Sequence, residues 1–114
     1  MEDFNKIVIA GITVEVVNLT RATYKNAIAF SDILNNDIAN GVRKIVIDLS
    51  HCEFMDSTFI GVLVVALRDI TKIGGKLCIV KPSSIAHSIL ETTDTLRIFS
   101  LYNTIEEATK SFIH

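Results

Sequence analysis

The sequence predicts an α/β fold: a mixed, mostly parallel β-sheet of about five strands, with an N-terminal hairpin and about four helices. Three observations carry this. Runs rich in Val and Ile alternate with stretches whose apolar residues recur at three- and four-residue steps. The joins are short, so successive strands separated by a helix must lie parallel, with right-handed crossovers. Only the first two runs follow each other directly, with Gly11 between them to make a tight turn.

In order, residues 6–10 and 12–19 are the two strands of the hairpin. In the second, Ile12, Val14 and Val16 alternate with Thr13 and Glu15, the period of a half-buried strand. Thr23 can cap a helix with apolar positions Ala27, Phe30, Ile33, Leu34 and Ile38, and Asn40-Gly41 stops it. Residues 44–50 form an interior strand, because Ile45-Val46-Ile47 suits burial on both faces. The segment after Ser57 has strand-like composition, but no turn signal appears before Gly74-Gly75, and that distance requires a helix. Residues 76–80 are the next strand. After Pro82, Ser83 or Ser84 caps a short helix bearing Ile85, Ile89 and Leu90; residues 91–95 are loop and 98–102 a last strand. Thr104 and Glu107 make a capping box for a closing helix with Ile105, Ala108 and Phe112 inward.

At 114 residues the chain is expected to be one domain, residues 1–114, with no internal repeat or linker. The net charge of −2 is modest and the basic residues are scattered without interleaved aromatics, which argues against a nucleic-acid groove. The longest apolar run, Phe59 to Leu67, is far short of a membrane span. With no secretory pattern and two cysteines, Cys52 and Cys78, the expectation is a cytoplasmic protein with reduced thiols.

The chemistry-bearing stretch is Asp56-Ser57-Thr58, where the interior strand hands over to the apolar helix. Hydroxyls and oxyanions are favoured at such a junction. All three residue types make good N-caps, so composition does not separate a cap at Ser57 from a functional hydroxyl, and general preference favours the cap. A helical wheel puts Phe59, Ile60, Leu63, Val64, Ala66, Leu67 and Ile70 on a core-facing arc. Ser57, Thr58, Gly61, Val65, Arg68, Asp69 and Lys72 share the outer arc. Gly61 disfavours a helix interior by about 1 kcal/mol relative to alanine. Close packing against a strand would explain it; its outer position points instead to a partner approaching the backbone, with Val65 as a small apolar anchor.

Residues 44–65, with Val-Ile-Asp-Leu-Ser followed by Phe54-Met55-Asp56-Ser57-Thr58 and Ile60-Gly61-Val62, resemble the anti-sigma factor antagonists of the STAS family. Gly74-Gly75-Lys76-Leu77, the helix at 83–90 and the Thr104-Ile-Glu-Glu-Ala ending are similar too. The resemblance implies a STAS-like fold and makes Ser57 the phosphorylated serine, with Thr58 as runner-up. It implies partner switching. Unphosphorylated, such a protein binds a serine-kinase anti-sigma factor and frees a sigma factor; the kinase phosphorylates the serine, and a metal-dependent phosphatase of the PP2C type restores it. ATP and Mg come from the kinase, so this chain needs no cofactor and is a substrate and ligand, not an enzyme. The expected partner-binding residues are Asp56, Ser57, Thr58, Gly61, Val65 and Arg68, with Thr20 and Arg21 from the loop after the second strand. The chain departs from the family pattern at Phe59, where glycine is common, and at Thr20, where an acidic residue is common.

Other signals are weaker. His51, His87, Cys52 and Cys78 lack zinc-ligand spacing, and are expected to be solvated histidines and buried thiols. Gly-x-Ser-x-Gly is absent, so nothing marks Ser57 as a nucleophile. Asp48 could line a ligand crevice at its strand end, but a hydrogen-bonded strand terminus is the simpler expectation. Two alternatives remain open: a stand-alone STAS domain serving a non-sigma partner such as a lipid-transport complex, and a small nucleotide-binding α/β enzyme.

Overall fold

The β-branched runs at the start of the chain pair as β1 (Phe4–Ile9) and β2 (Ile12–Val17), antiparallel, with Lys6 opposite Glu15. They belong to a computed structural model that describes residues 2–82 and 98–113. Ala10 and Gly11 form the turn, both at positive φ (51° and 78°). This backbone matches the right-handed twist of the strands it joins. Ala10, expected at the end of the first strand, therefore belongs to the turn.

The chain continues through β3 (Arg21–Ala22), α1 (Tyr24–Ala39), β4 (Lys44–Asp48), β5 (Phe54–Met55) and α2 (Ser57–Lys72). It closes with β6 (Lys76–Val80), β7 (Ser100–Tyr102) and α3 (Ile105–Lys110). The main sheet has the order β1-β2-β4-β6-β7, parallel throughout except at the hairpin. This is the expected five-stranded mixed sheet. Three helices lie among the described residues; the helix expected over 83–90 and the loop over 91–95 fall outside them. The last strand begins at Ser100, two residues later than expected.

α1 and α2 cover one face of the sheet, burying Phe30, Leu34, Phe59, Leu63 and Ile70 against Ile45, Ile47, Leu77 and Ile79. α3 lies on the other, over Ile12, Val14, Val46 and Cys78. The strand-like composition of α2 is overridden by this packing. Burial of Phe59, Ile60, Leu63 and Ile70, at about 1.5–3 kcal/mol each, outweighs propensity losses of ~0.7 kcal/mol or less per residue, and about 1 kcal/mol at Gly61. Val64 and Leu67, expected in the core, are only partly buried at its border. Phe59 ends a stack of three rings in that core: its ring lies on Phe30 at 5.3 Å, and Phe30 lies on Phe4 at 4.9 Å.

β2 is buried on both faces, not one. Thr13 and Glu15 lie beneath α1, where Glu15 is 1% exposed. Its burial is eased by Lys6 from β1, which reaches it at 3.4 Å and also donates to Asp37 of α1, itself buried. One ammonium cannot balance two carboxylates. Burial and the adjacent Asp37 carboxyl push Glu15 up to about 8, against the pull of Lys6. Glu15 Oε2 and Asp37 Oδ2 otherwise lack hydrogen-bond donors among the described residues.

The glycine pair after α2 does two jobs. Gly74 takes φ +82° to end the helix, whereas a Cβ on Gly75 would sit 2.5 Å from Ile70 Cγ1 and 2.7 Å from the Arg43 carbonyl oxygen. At α3, Thr104 Oγ1 accepts from the Glu107 N–H at 3.0 Å, and the Glu107 carboxylate returns to the N–H of Asn103, one residue before the cap.

Candidate functional site

In an open parallel sheet the loops at the carboxyl ends of the strands are the natural place for a site. Here two such loops are joined. The Thr20 carbonyl accepts the N–H groups of Glu53 (2.8 Å) and Phe54 (3.1 Å), and the Ala22 carbonyl accepts that of Asp56 (3.1 Å). The result is the two-stranded parallel sheet of β3 and β5, Arg21 opposite Phe54 and Ala22 opposite Met55. The Arg21 guanidinium lies 4.3 Å over the Phe54 ring. This small sheet brings the loop after β2 against the start of α2.

Asp56 is the cap of α2: its Oδ1 accepts the Phe59 N–H at 2.9 Å. Its Oδ2 accepts the N–H of Tyr24, the first residue of α1, at 2.7 Å. One carboxylate thus serves the starts of two helices, each with unpaired N–H groups and a positive dipole end. Thr23 caps α1 on its own account, through the Lys25 and Asn26 contacts of a capping box. Ser57 is therefore not the cap. It occupies the first helical position, exposed, and its hydroxyl makes no hydrogen bond among the described residues.

Thr58 is also exposed. Gly61 is half-buried, and a Cβ added to it would meet nothing within 4 Å. Close packing against a strand is thus not why glycine stands there. Val65 is 42% exposed and Arg68 is exposed on the same outer face. Of the expected contact residues, Thr20, Arg21, Asp56, Ser57 and Thr58 gather at the helix start. Gly61 and Val65 continue away from it, and Arg68, eleven residues on, stands roughly 16 Å along the helix axis.

The residue that periodicity and motif reading missed is Tyr24. Two-residue strands carry no period, so the docking of one loop on the other leaves no local signal. With Arg21, Thr23, Lys25 and Asn26, Tyr24 also lines a shallow cleft beside this junction.

The arrangement presents a hydroxyl that, among the described residues, makes no hydrogen bond and whose neighbouring carboxylate is committed to two backbone N–H groups. It suits a hydroxyl that accepts a group delivered from outside. Asp48 is a buried strand terminus whose Oδ1 accepts the Ser50 N–H at 2.9 Å, as expected. Among the described residues no group of three or more His, Cys, Asp or Glu side chains could hold a metal ion. Cys52 and Cys78 are buried in different clusters, on opposite faces of the sheet. Burial, with the nearby Asp48 carboxylate, pushes the Cys52 thiol up to about 12; burial also raises Cys78, opposed by Ser111 and Lys76. His51 is exposed and His87 lies outside the described residues. No helix among the described residues is long and apolar enough to cross a membrane.

Residues 6–108 match the family model for the STAS domain. A Thermotoga maritima protein assigned as an anti-sigma factor antagonist is 34% identical over 92 residues, covering 81% of this chain and 78% of that one. A crystal structure from Thermotoga maritima, with the same assignment, superposes with a TM-score of 0.84 at 28% identity, over 95% of this chain and 92% of that one. SpoIIAA, an anti-sigma factor antagonist of 16–17% identity, shares the fold in two forms. Its unphosphorylated form has a TM-score of 0.74, covering 96% of each chain, and its phosphorylated form 0.73, covering 96% of this chain and 98% of that one.

Proposed function

The chain belongs to the STAS domain family, and from that premise we propose that it is an anti-sigma factor antagonist switched by phosphorylation of Ser57. Unphosphorylated, it binds a serine-kinase anti-sigma factor and displaces a sigma factor. The kinase then transfers the γ-phosphoryl of Mg-bound ATP to the Ser57 oxygen, the serine proton leaving to a base on the kinase. A PP2C-type phosphatase reverses the step. The anti-sigma factor antagonists of this family are not enzymes, and the partners of this cycle act in the cytoplasm.

The observation that carries the proposal is the division of labour between Asp56 and Ser57. Because Asp56 does the capping, the Ser57 hydroxyl is free to be modified without loss of a helix cap. Phosphate adds nearly two negative charges and three acceptor oxygens. At a helix start the dipole favours that charge, while Asp56 beside it opposes it. Both effects are of order 1 kcal/mol at an exposed position, so they nearly cancel and the fold persists. The similar superpositions on the two forms of SpoIIAA agree with this. A partner packed over Gly61 and Val65 would instead have to desolvate the phosphate, which is far more expensive. Binding weakens while folding survives.

The test uses the purified serine-kinase anti-sigma factor from the same genome with ATP and magnesium. Mass spectrometry should find one phosphate, on Ser57, and Ser57→Asp should weaken kinase binding without unfolding the domain. Phosphate only on Thr58, or none, sinks the assignment. Appreciable ATP turnover by this chain alone, lost on Ser57 or Asp48 substitution, would favour the enzyme alternative.

A further inference from the structure

We infer that the surface that receives the kinase extends from α2 onto α1, with Tyr24 and Ile28 as its apolar anchors. This rests on the proposed function, and adds to it a second helix that no motif of the phosphorylation site includes.

The first argument is size. A specific protein interface buries about 800 Å² on each partner, far more than one helix start and the small side chains at Ser57, Gly61 and Val65 can supply. The contact must extend, and its energetic centre needs large apolar or aromatic groups.

The second argument is where such groups stand. Tyr24 is 63% exposed and Ile28, one turn further on, 77%, the highest value among the exposed large apolar residues described. Tyr24 is tied to the phosphorylation turn by its own N–H, which Asp56 accepts at 2.7 Å. The other candidates stand elsewhere. Ile7, Val8 and Ile9 are on the edge strand β1, Ile73 and Ile98 precede β6 and β7, at the opposite end of the parallel strands from Ser57, and Ile113 follows α3, which packs on the other face of the sheet.

The third argument is direction. Ile33 and Asn36 on one flank of α1 line a cleft with β1 residues. Tyr24, Ile28, Ser31 and Asn35 recur at helical spacing on the other flank, turned toward α2, and none is charged. Beside it runs the outer strip of α2, from Ser57 through Gly61 to Val65. Both strips begin at the junction held by Asp56 and lead away from it. A partner seated over Ser57 meets them together, and its matching surface is apolar where it faces Tyr24 and Ile28, with the exposed Arg21, Lys25, Asp32 and Arg68 at the margins.

Three single-site variants and the wild type, titrated against the same purified kinase, decide it. Ile28→Asp should weaken binding by about tenfold or more, and raise the KM for Ser57 phosphorylation with little change in kcat. Ile73→Asp, an equal charge insertion at the far end of α2, should bind within about twofold of wild type. Both should unfold cooperatively, Ile28→Asp close to wild type because the position is exposed, and Ile73→Asp at a somewhat lower temperature because its charge stands at the carboxyl end of α2. Tyr24→Ala provides a second reading at the anchor nearer Ser57. Wild-type affinity in both Ile28→Asp and Tyr24→Ala, or an equal loss in Ile73→Asp, overturns the inference while leaving the Ser57 switch intact. No binding and no Ser57 phosphate in the wild type would overturn both.

Discussion

Asp56 and Tyr24, 32 residues apart, are joined by a 2.7 Å hydrogen bond from the first N–H of one helix to the cap carboxylate of the next. The other oxygen of that carboxylate holds the Phe59 N–H at 2.9 Å. The two helices that cover this face of the sheet thereby start from one junction, and Ser57 stands beside it.

Asp56→Ala removes the side-chain acceptor from both helix starts, and should destabilise the domain by about 2–3 kcal/mol, twice the usual loss of a cap. Asp56→Asn keeps one acceptor oxygen and should lose less. Ser57→Ala, which removes no cap, should stay within ~0.5 kcal/mol of wild type. Urea denaturation of the three variants measures this. A Ser57→Ala loss as large as that of Asp56→Ala would return the capping role to the serine.

Gly61→Ala separates folding from binding. The added methyl has open space, and alanine in place of glycine should stabilise the helix by up to about 1 kcal/mol. On the proposed contact surface the same methyl should weaken kinase binding. Denaturation and titration on one protein sample read both effects. Higher stability with unchanged affinity would remove Gly61 from the contact surface.

Phe59 is fully buried in a three-ring stack with Phe30 and Phe4. Phe59→Ala should therefore destabilise by roughly 3–5 kcal/mol, as large core truncations do. Phe59→Gly should be worse by a further ~1 kcal/mol from helix propensity. Chemical denaturation checks both. A loss below ~1 kcal/mol would mean that the stack contributes little.

Glu15 makes stability depend on pH. Its folded value, about 8, lies above the ordinary 4.5. Between those limits the native state holds a proton that the unfolded chain has released, so stability falls as pH rises through this window and levels off above it. The slope is at most about 1.4 kcal/mol per pH unit. Glu15→Gln, which keeps a hydrogen-bonding group but cannot ionise, should flatten the profile between pH 5 and 9 measured by urea denaturation.

Much of this architecture could be read from the chain. The hairpin, the helix stops and the closing cap are local features, written in adjacent residues such as Asn40-Gly41 and Thr104 with Glu107. What could not be read was decided at long range. Asp56, Ser57 and Thr58 are equally good caps by composition, and the choice was made jointly by the N–H groups of Phe59 and Tyr24. The β3–β5 pairing is two residues long, too short for any periodicity. Glu15 looked solvent-facing because a lone carboxylate avoids burial; Lys6 and Asp37, nine and 22 residues away in sequence, change that. Gly61 on the outer arc was legible as an anomaly, and the open space over it removes the packing explanation.

The two thiols turn the sheet into its own clock. Cys52 lies with the α1 and α2 layer and Cys78 with the α3 layer, each sealed from solvent and held in the unreactive protonated form. A disulfide reagent can reach either one only when its layer lifts. Following the two modifications separately, with Cys52→Ala and Cys78→Ala proteins, times the opening of each face. Phosphate on Ser57 or a bound kinase can then be asked which face it holds shut.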